Sequence, residues 1–417
     1  MRIVILALGT RGDVQPYIAL GVGLHAAGHA VRLVSHEDFG ALITAHGLDF
    51  RSVRGNVQDI AESDEMRALL EKGNFIAITR RTAAEARRAA VQWAEDGFSA
   101  CQGADLIIAG LGGLFIGIAL AEKLSIPFLQ AYLVPFTPTA DFPGVLLPQG
   151  LSRLGGVFNR ISHGLVRQMM WQSYRSADSA SRRVLDLPPA PLRGPLARNS
   201  IKRQPILYGF SPVVIPKPAE WGEDQHVTGF WYLDSPVSWQ PPDELLRFLE
   251  DGPPPVYIGF GSMSTRNPEE TADMVLRALA QTRQRAILLS GWGGLRAGDL
   301  PETVLMINNV PHDWLFPRVS AVVHHGGAGT TAAGLRAGVP SVVVPFFGDQ
   351  PFWGERVARL GVGPRPIPRK SLTADLLAST LREVEASAAL RERSARVGQA
   401  IRAEDGVQRV VEVVGSL

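Results

Sequence analysis

The stretch VVHHGGAGTTAAGLRAGVP, residues 322–340, decides the fold. It opens on a short apolar run of strand character and passes through Gly326, Gly327 and Gly329. It then continues into a helical pattern that Gly338 and Pro340 close. A strand that turns through glycines directly into a helix is half of a βαβ unit, and such units build a parallel sheet covered on both faces. Glycines leave room for a close ligand, and the free N–H groups and positive dipole end of the helix suit phosphate. His325 adds a ring donor, and Thr330 and Thr331 add hydroxyls. The plainer alternative is a tight turn with threonine N-caps.

The same alternation extends in both directions. Downstream of residue 250 the pattern predicts strands over 256–260, 286–290, 321–324 and 341–344. Helices are predicted over 268–281, 330–337, 352–360 and 373–386, with a helical pattern from 390 to the end. Upstream it predicts strands over 3–8, 30–35, 105–109 and 127–131. Helices are predicted from Pro16 to Gly28 and over 114–124. Prolines gather between the halves, from Pro188 to Pro218 and again from Pro241 to Pro255. Such a connector marks a boundary, placed near 215, giving domains 1–215 and 216–417, with the last helix expected to pack back on the first. The expected fold is α/β: two facing Rossmann-like, doubly wound domains with a ligand cleft at the carboxyl ends of their strands.

Composition narrows the function classes. A net charge of +2 gives no overall field to recruit nucleic acid. Cys101 is the only cysteine, so neither an intrachain disulfide nor a cysteine metal cluster can form, which fits a reducing, cytoplasmic setting. The apolar run 3–8 is too short for a signal-peptide core, and 106–121, broken by four glycines, reads as strand, turn and buried helix rather than a membrane span.

Three further segments carry chemistry. In VVVPFFGDQPFWGERV, Asp349 and Gln350 follow a strand and a proline turn, where they can bind several sugar hydroxyls. GFGSM places Ser262 on another post-strand turn. In NNVPHDWLF, Val310 and His312 can meet a nucleobase through backbone groups. Together with GTRGDVQPYIALG near the start, these strings in this order resemble the nucleotide-sugar transferases of the GT-B fold. Within that superfamily the resemblance is to the sterol 3-beta-glucosyltransferase-like branch and its bacterial natural-product relatives. By that resemblance Ser262, His325, Gly327, Gly329 and Thr330 hold the diphosphate, Val310 lies against the base, and Asp349 and Gln350 hold the transferred sugar. FFGDQ looks more like the UDP-glucose users than the deoxysugar users. A UDP-sugar is then a cosubstrate, and no cofactor is implied.

Inverting transfer needs a base near the acceptor hydroxyl and neutralisation of the leaving diphosphate. The phosphate-binding groups are Ser, Thr, His and helix N–H groups, with no Asp-x-Asp pair in a post-strand loop, so the expected mechanism is metal-independent. The base candidate is Asp13 in GTRGDVQP, and the branch resembled places an aspartate in that role. An ordinary aspartate, with a pKa of about 3.9, is ionised but weakly basic, and Asp13 is also placed to cap the following helix. Thr10 and Arg11 of the same loop reach donor phosphate or face water, and Trp292 in SGWGG is a candidate cleft wall.

Residues 151–205 hold ten basic and two acidic residues. Within 151–170, Leu154, Val157, Phe158, Ile161, Leu165 and Met169 fall on one helical face while Arg153, Arg160 and Arg167 recur every seven. Two readings stay open: an ordinary surface helix packed on the first domain, or peripheral contact with an anionic membrane. Phe136, Phe142 and Met170 are candidate apolar walls for the acceptor. The leading expectation is glucosyl transfer from UDP-glucose to a lipophilic alcohol such as a sterol, terpenoid or aglycone. The alternatives are dTDP-deoxysugar transfer in antibiotic assembly, or a non-catalytic nucleotide-sugar-binding protein. A dinucleotide-dependent oxidoreductase is excluded because no G-x-G-x-x-G follows the first strand.

Overall fold

The computed structural model describes residues 1–55, 75–197, 204–236, 239–260, 268–289 and 300–417. Two compact units emerge. Among the described residues the first holds 1–55, Ile76–Leu233 and the tail Asp405–Leu417, and the second holds Phe75 and Asp234–Glu404.

The first unit is built on β1 (Arg2–Leu6), β2 (Ala30–His36), β3 (Asp49–Val53), β4 (Leu106–Ala109), β5 (Phe128–Tyr132), β6 (Ile206–Tyr208) and β7 (Gln225–Val227). They form one sheet in the order β3-β2-β1-β4-β5-β6-β7, parallel throughout. The helices are α1 (Arg11–Ala26), α2 (Gly40–Ala45), α3 (Phe75–Ala100), α4 (Leu114–Leu124) and α5 (Gly156–Val184). The continuous apolar strands are those of a sheet covered on both faces, and Ile3, Ile5, Leu33, Ile108 and Leu129 are all essentially inaccessible. The unit extends past 215 because β7 pairs in register with β6, Ile206 opposite Gln225. The prolines fall in the loops around these three-residue strands, where no ladder hydrogen bond is lost.

The second unit contains α6 (Asp243–Glu250), β8 (Val256–Gly259), α7 (Pro268–Thr282), β9 (Ala286–Leu289), β10 (Val304–Ile307), α8 (His312–Leu315), β11 (Ala321–His324), α9 (Ala328–Ala337), β12 (Ser341–Val343), α10 (Gln350–Leu360), α11 (Ala374–Ala386) and α12 (Ala388–Arg402). Its sheet runs β10-β9-β8-β11-β12, again parallel. The final helix, α13 (Gly406–Gly415), belongs to the first unit. Val410 and Val414 are buried in its core. A Cβ on Gly23 of α1 would stand 2.1 Å from Val407 Cγ1, so only glycine lets α13 approach this closely.

In each sheet the strand order reverses at one place, between β1 and β4 and between β8 and β11. The loops at the carboxyl ends of those strands are where open α/β sheets bind ligands. The loops after β1 and after β11 are among those singled out from the sequence.

Candidate functional site

In the second unit, β11 ends at His324 and Gly326 turns the chain at φ +90°, a conformation that suits glycine. A Cβ there would also meet Val343 Cγ1 at 2.6 Å and the Gln350 carbonyl oxygen at 3.0 Å. Gly327 is the N-cap, so α9 starts at Ala328, earlier than the threonines suggested. The first helical bond runs from Thr331 N–H to the Gly327 carbonyl, which leaves the N–H groups of Ala328, Gly329 and Thr330 ahead of the ladder. Gly329 is exposed, with open space where a Cβ would be. Thr330 is half-buried beside it, whereas Thr331 is buried and points inward.

His325 stands at the head of this turn with its Nε2 against the Gly327 Cα; a Cβ on Gly327 would lie 2.5 Å from that nitrogen. Burial pushes its pKa down to about 4, and its Nδ1 has no hydrogen-bond partner. The ring is neutral at ordinary pH, with one N–H to give. His324, which the sequence reading treated only as a strand end, accepts the Gly326 N–H on Nδ1 at 3.1 Å. That fixes its proton on Nε2 and locks the turn. Burial, with His325 and His312 nearby, holds its pKa well below the ordinary histidine value. The signal available was the doubled histidine itself: alternate strand residues face opposite sides, so one of the pair had to point inward.

Around this turn the other candidates take defined places. Val310 is a core side chain, packed with Leu315, Phe316 and Val322, so its backbone is what remains for a ligand. His312 stacks on Phe316 at 4.3 Å and lies 3.5 Å from the Tyr257 hydroxyl. Asp349 caps α10 and accepts the Trp353 indole N–H at 2.8 Å. Gln350 is buried, and its side-chain oxygen accepts the N–H groups of Phe346 (2.7 Å) and Phe347 (3.2 Å). Its carbonyl therefore shapes the FFGDQ loop. Ser262 and Trp292 lie outside the described residues.

In the first unit, the loop after β1 begins with Gly9 at φ +145°, where a Cβ would fall 2.5 Å from Asp13 Oδ2. Thr10 is the N-cap of α1, which starts at Arg11; Pro16 lies inside the helix rather than opening it. The Thr10 N–H and hydroxyl both donate to Asp13 Oδ2 at 2.9 Å, so the capping contact is made. Oδ1 makes no hydrogen bond among the described residues. Asp13 keeps solvent-accessible surface, yet enough protein surrounds its carboxyl that desolvation raises the pKa above the ordinary aspartate value, while the two Thr10 donors act to lower it. Thr10→Val removes one of these donors, so the pKa should rise further and the acid limb of the kcat/KM profile should move to higher pH. An unmoved limb would take the titrating role away from Asp13. Arg11 is exposed and donates from Nε to Gln15 Oε1 at 3.2 Å.

An aromatic wall stands nearby. Tyr174 of α5 has its phenol pKa raised by burial and by the charge of Asp13. Its ring lies 5.7 Å from Phe115, which in turn sits 5.3 Å from Trp171. Tyr174 was legible as the residue one turn beyond Met170, which is half-buried on the same helix. Phe136 is buried beneath the Arg167 guanidinium, 5.5 Å from its ring centre. Phe142 is 2% exposed and edge-on to His163, inside the packing of the unit.

Residues 3–143 match the glycosyltransferase family 28 N-terminal domain, and residues 274–417 match the C-terminal domain of the erythromycin biosynthesis protein CIII-like family. The chain is 37% identical over 427 residues to sterol 3-beta-glucosyltransferase UGT80B1 of Arabidopsis thaliana, covering 99% of this chain and 67% of that protein. Identity to the sterol 3-beta-glucosyltransferase of Pichia angusta is also 37%, over 99% of this chain but only 33% of that longer protein. Among solved structures, the glycotransferase of kitacinnamycin superimposes with a TM-score of 0.72 at 20% identity, covering 99% of this chain and 98% of that one. The glycosyltransferase VinC in complex with dTDP gives a TM-score of 0.68 at 21% identity with the same coverage. At such identities the solved structures speak for the fold and the curated relatives for the family. The chain belongs to the sterol 3-beta-glucosyltransferase family and is a glycosyltransferase of the GT-B fold.

Proposed function

We propose that the chain transfers glucose from UDP-glucose, with inversion and without a divalent metal, to the hydroxyl of a sterol or similar lipophilic alcohol. The observation that carries the reading is the Asp13 carboxylate: Oδ2 is held by Thr10, Oδ1 makes no hydrogen bond among the described residues, and the carboxylate's charge reaches Tyr174 of the aromatic wall. In the proposed reaction Oδ1 takes the acceptor hydroxyl proton as that oxygen bonds to the sugar's anomeric carbon. The bond from that carbon to the diphosphate oxygen breaks, and its electron pair leaves with UDP. Neutral His325 and the leading N–H groups of α9 would receive the growing charge on the diphosphate. The sterol preference is supported by the relatives named for sterol glucosylation.

A second reading, a dTDP-deoxysugar donor with a polyketide acceptor, is favoured by the match of the C-terminal part to the erythromycin biosynthesis family. A thermal-shift panel of UDP, UDP-glucose and dTDP-sugars, followed by mass detection of products from sterol and aglycone mixtures, separates the two. Binding of UDP without any glycoside would leave only a binding protein. Turnover is expected to persist in EDTA, and complete loss that magnesium restores would refute the metal-free mechanism.

A further inference from the structure

The N-terminal half of α5 has its amphipathicity reversed. Its inward face is polar: Asn159 donates from Nδ2 to the Ala140 carbonyl at 2.8 Å, Ser162 accepts the Gly144 N–H at 2.9 Å, and a ring nitrogen of His163 lies 3.0 Å from the Phe142 carbonyl. Its outward face is apolar. Val157 is 78% exposed, Ile161 66% and Leu165 55%, and Leu154, on the turn just before the helix, 56%. Val157, Ile161 and Leu165 stand on successive turns, and a Cβ on Gly164 among them would meet nothing. A helix of a soluble protein ordinarily turns such a stripe inward, and a contiguous exposed stripe marks an interaction surface. The polar contacts of Asn159, Ser162 and His163 hold the helix against rolling to hide it, and farther along buried Arg182 ties it to Glu122 of α4 at 2.9 Å.

The charge around the stripe identifies the occupant. Arg153 is exposed beside it, as is Arg160, whose contact with Glu220 is a loose 3.5 Å. Where α5 runs on toward α3, Arg80, Arg87 and Arg88 line a cavity of about 540 Å³ with Ser173 and Ser176. Arg88 reaches Glu85 at 2.8 Å, while Arg80 and Arg87 make no ion pair among the described residues. A second copy of this chain placed symmetrically on the stripe would oppose arginine to arginine, which disfavours self-association. An apolar stripe edged by arginines matches the boundary of a bilayer with negative headgroups. Among the described residues no helix is long and apolar enough to cross a membrane, so contact would be along the surface.

We infer that this face of α5 docks on a lipid bilayer carrying anionic headgroups. The proposal stands on the helix alone and does not need the acceptor to be a sterol. The test is flotation of the full chain with vesicles of phosphatidylcholine, or of phosphatidylcholine containing about one third phosphatidylserine. The wild type should float with the anionic vesicles. The triple change Val157→Ser, Ile161→Ser and Leu165→Ser should lower partitioning at least about tenfold while leaving the melting temperature in place. Arg153→Gln with Arg160→Gln should reduce the preference for the anionic vesicles. Ile161→Trp should strengthen binding, which keeps the test open if the triple variant folds poorly. Transfer to a water-soluble acceptor, measured on the same preparations, should be unchanged and separates lost docking from lost activity. The proposal is overturned if the wild type stays with the soluble fraction, or if the triple variant floats equally well. It is equally overturned if sedimentation shows a wild-type dimer that the triple change dissociates.

Discussion

Asp13→Asn is expected to lower kcat by about three orders of magnitude while UDP affinity stays within about twofold of wild type. The asparagine keeps the size of the side chain and an oxygen that can accept from Thr10, so the start of α1 survives. What it loses is the negative charge, including that on Oδ1, the oxygen that makes no hydrogen bond among the described residues. A thousandfold loss corresponds to about 4 kcal/mol of barrier, within the range a general base contributes. If turnover were unchanged, the carboxylate would be a helix cap and nothing more. If UDP binding fell in parallel, the defect would lie in folding or donor binding rather than in proton removal.

His325→Ala should weaken UDP-glucose binding about tenfold to a hundredfold, the worth of one hydrogen bond to a charged phosphate, with a smaller change in kcat once donor saturates. His325→Gln, which retains an N–H donor, should recover part of the affinity. The pH behaviour sharpens the test. Burial puts the ring's pKa near 4, so protonation, which would add a positive charge beside the diphosphate, strengthens binding only below that value. Affinity for UDP-glucose should therefore fall as pH rises through about 4 and then stay flat across the neutral range. UDP-glucose lacks a terminal phosphate that titrates there. A step near 6.5, the ordinary histidine value, would mean the imidazole is not buried as described.

Much of this was legible in the chain. Continuous apolar runs marked β1, β4, β5, β8 and β11 because buried parallel strands need no alternation. The glycine turns marked both switch-point loops because backbone there approaches other atoms too closely for a side chain. Periodicity failed where strands were three residues long and bordered by prolines, as in β6 and β7, and the domain boundary was misplaced with them. It also could not tell a face that packs on protein from one that stays open, so the α5 stripe read more readily as an ordinary helix packed on the first domain than as an exposed surface. Gln350 shows another limit: only the backbone path reveals that its oxygen is committed to the amides of Phe346 and Phe347.

The return of α13 to the first unit has a practical corollary for recombining chains of this family. A hybrid that joins the front of one protein to the back of another at Leu233 would carry a foreign closing segment into the native N-terminal core, where Val407 must seat on Gly23. The match over 274–417 runs straight through the second junction, between Glu404 and Asp405, so a cut guided by alignment alone would make this mistake. Exchanges of donor preference should swap 234–404 as a cassette and leave the final segment with its own front half.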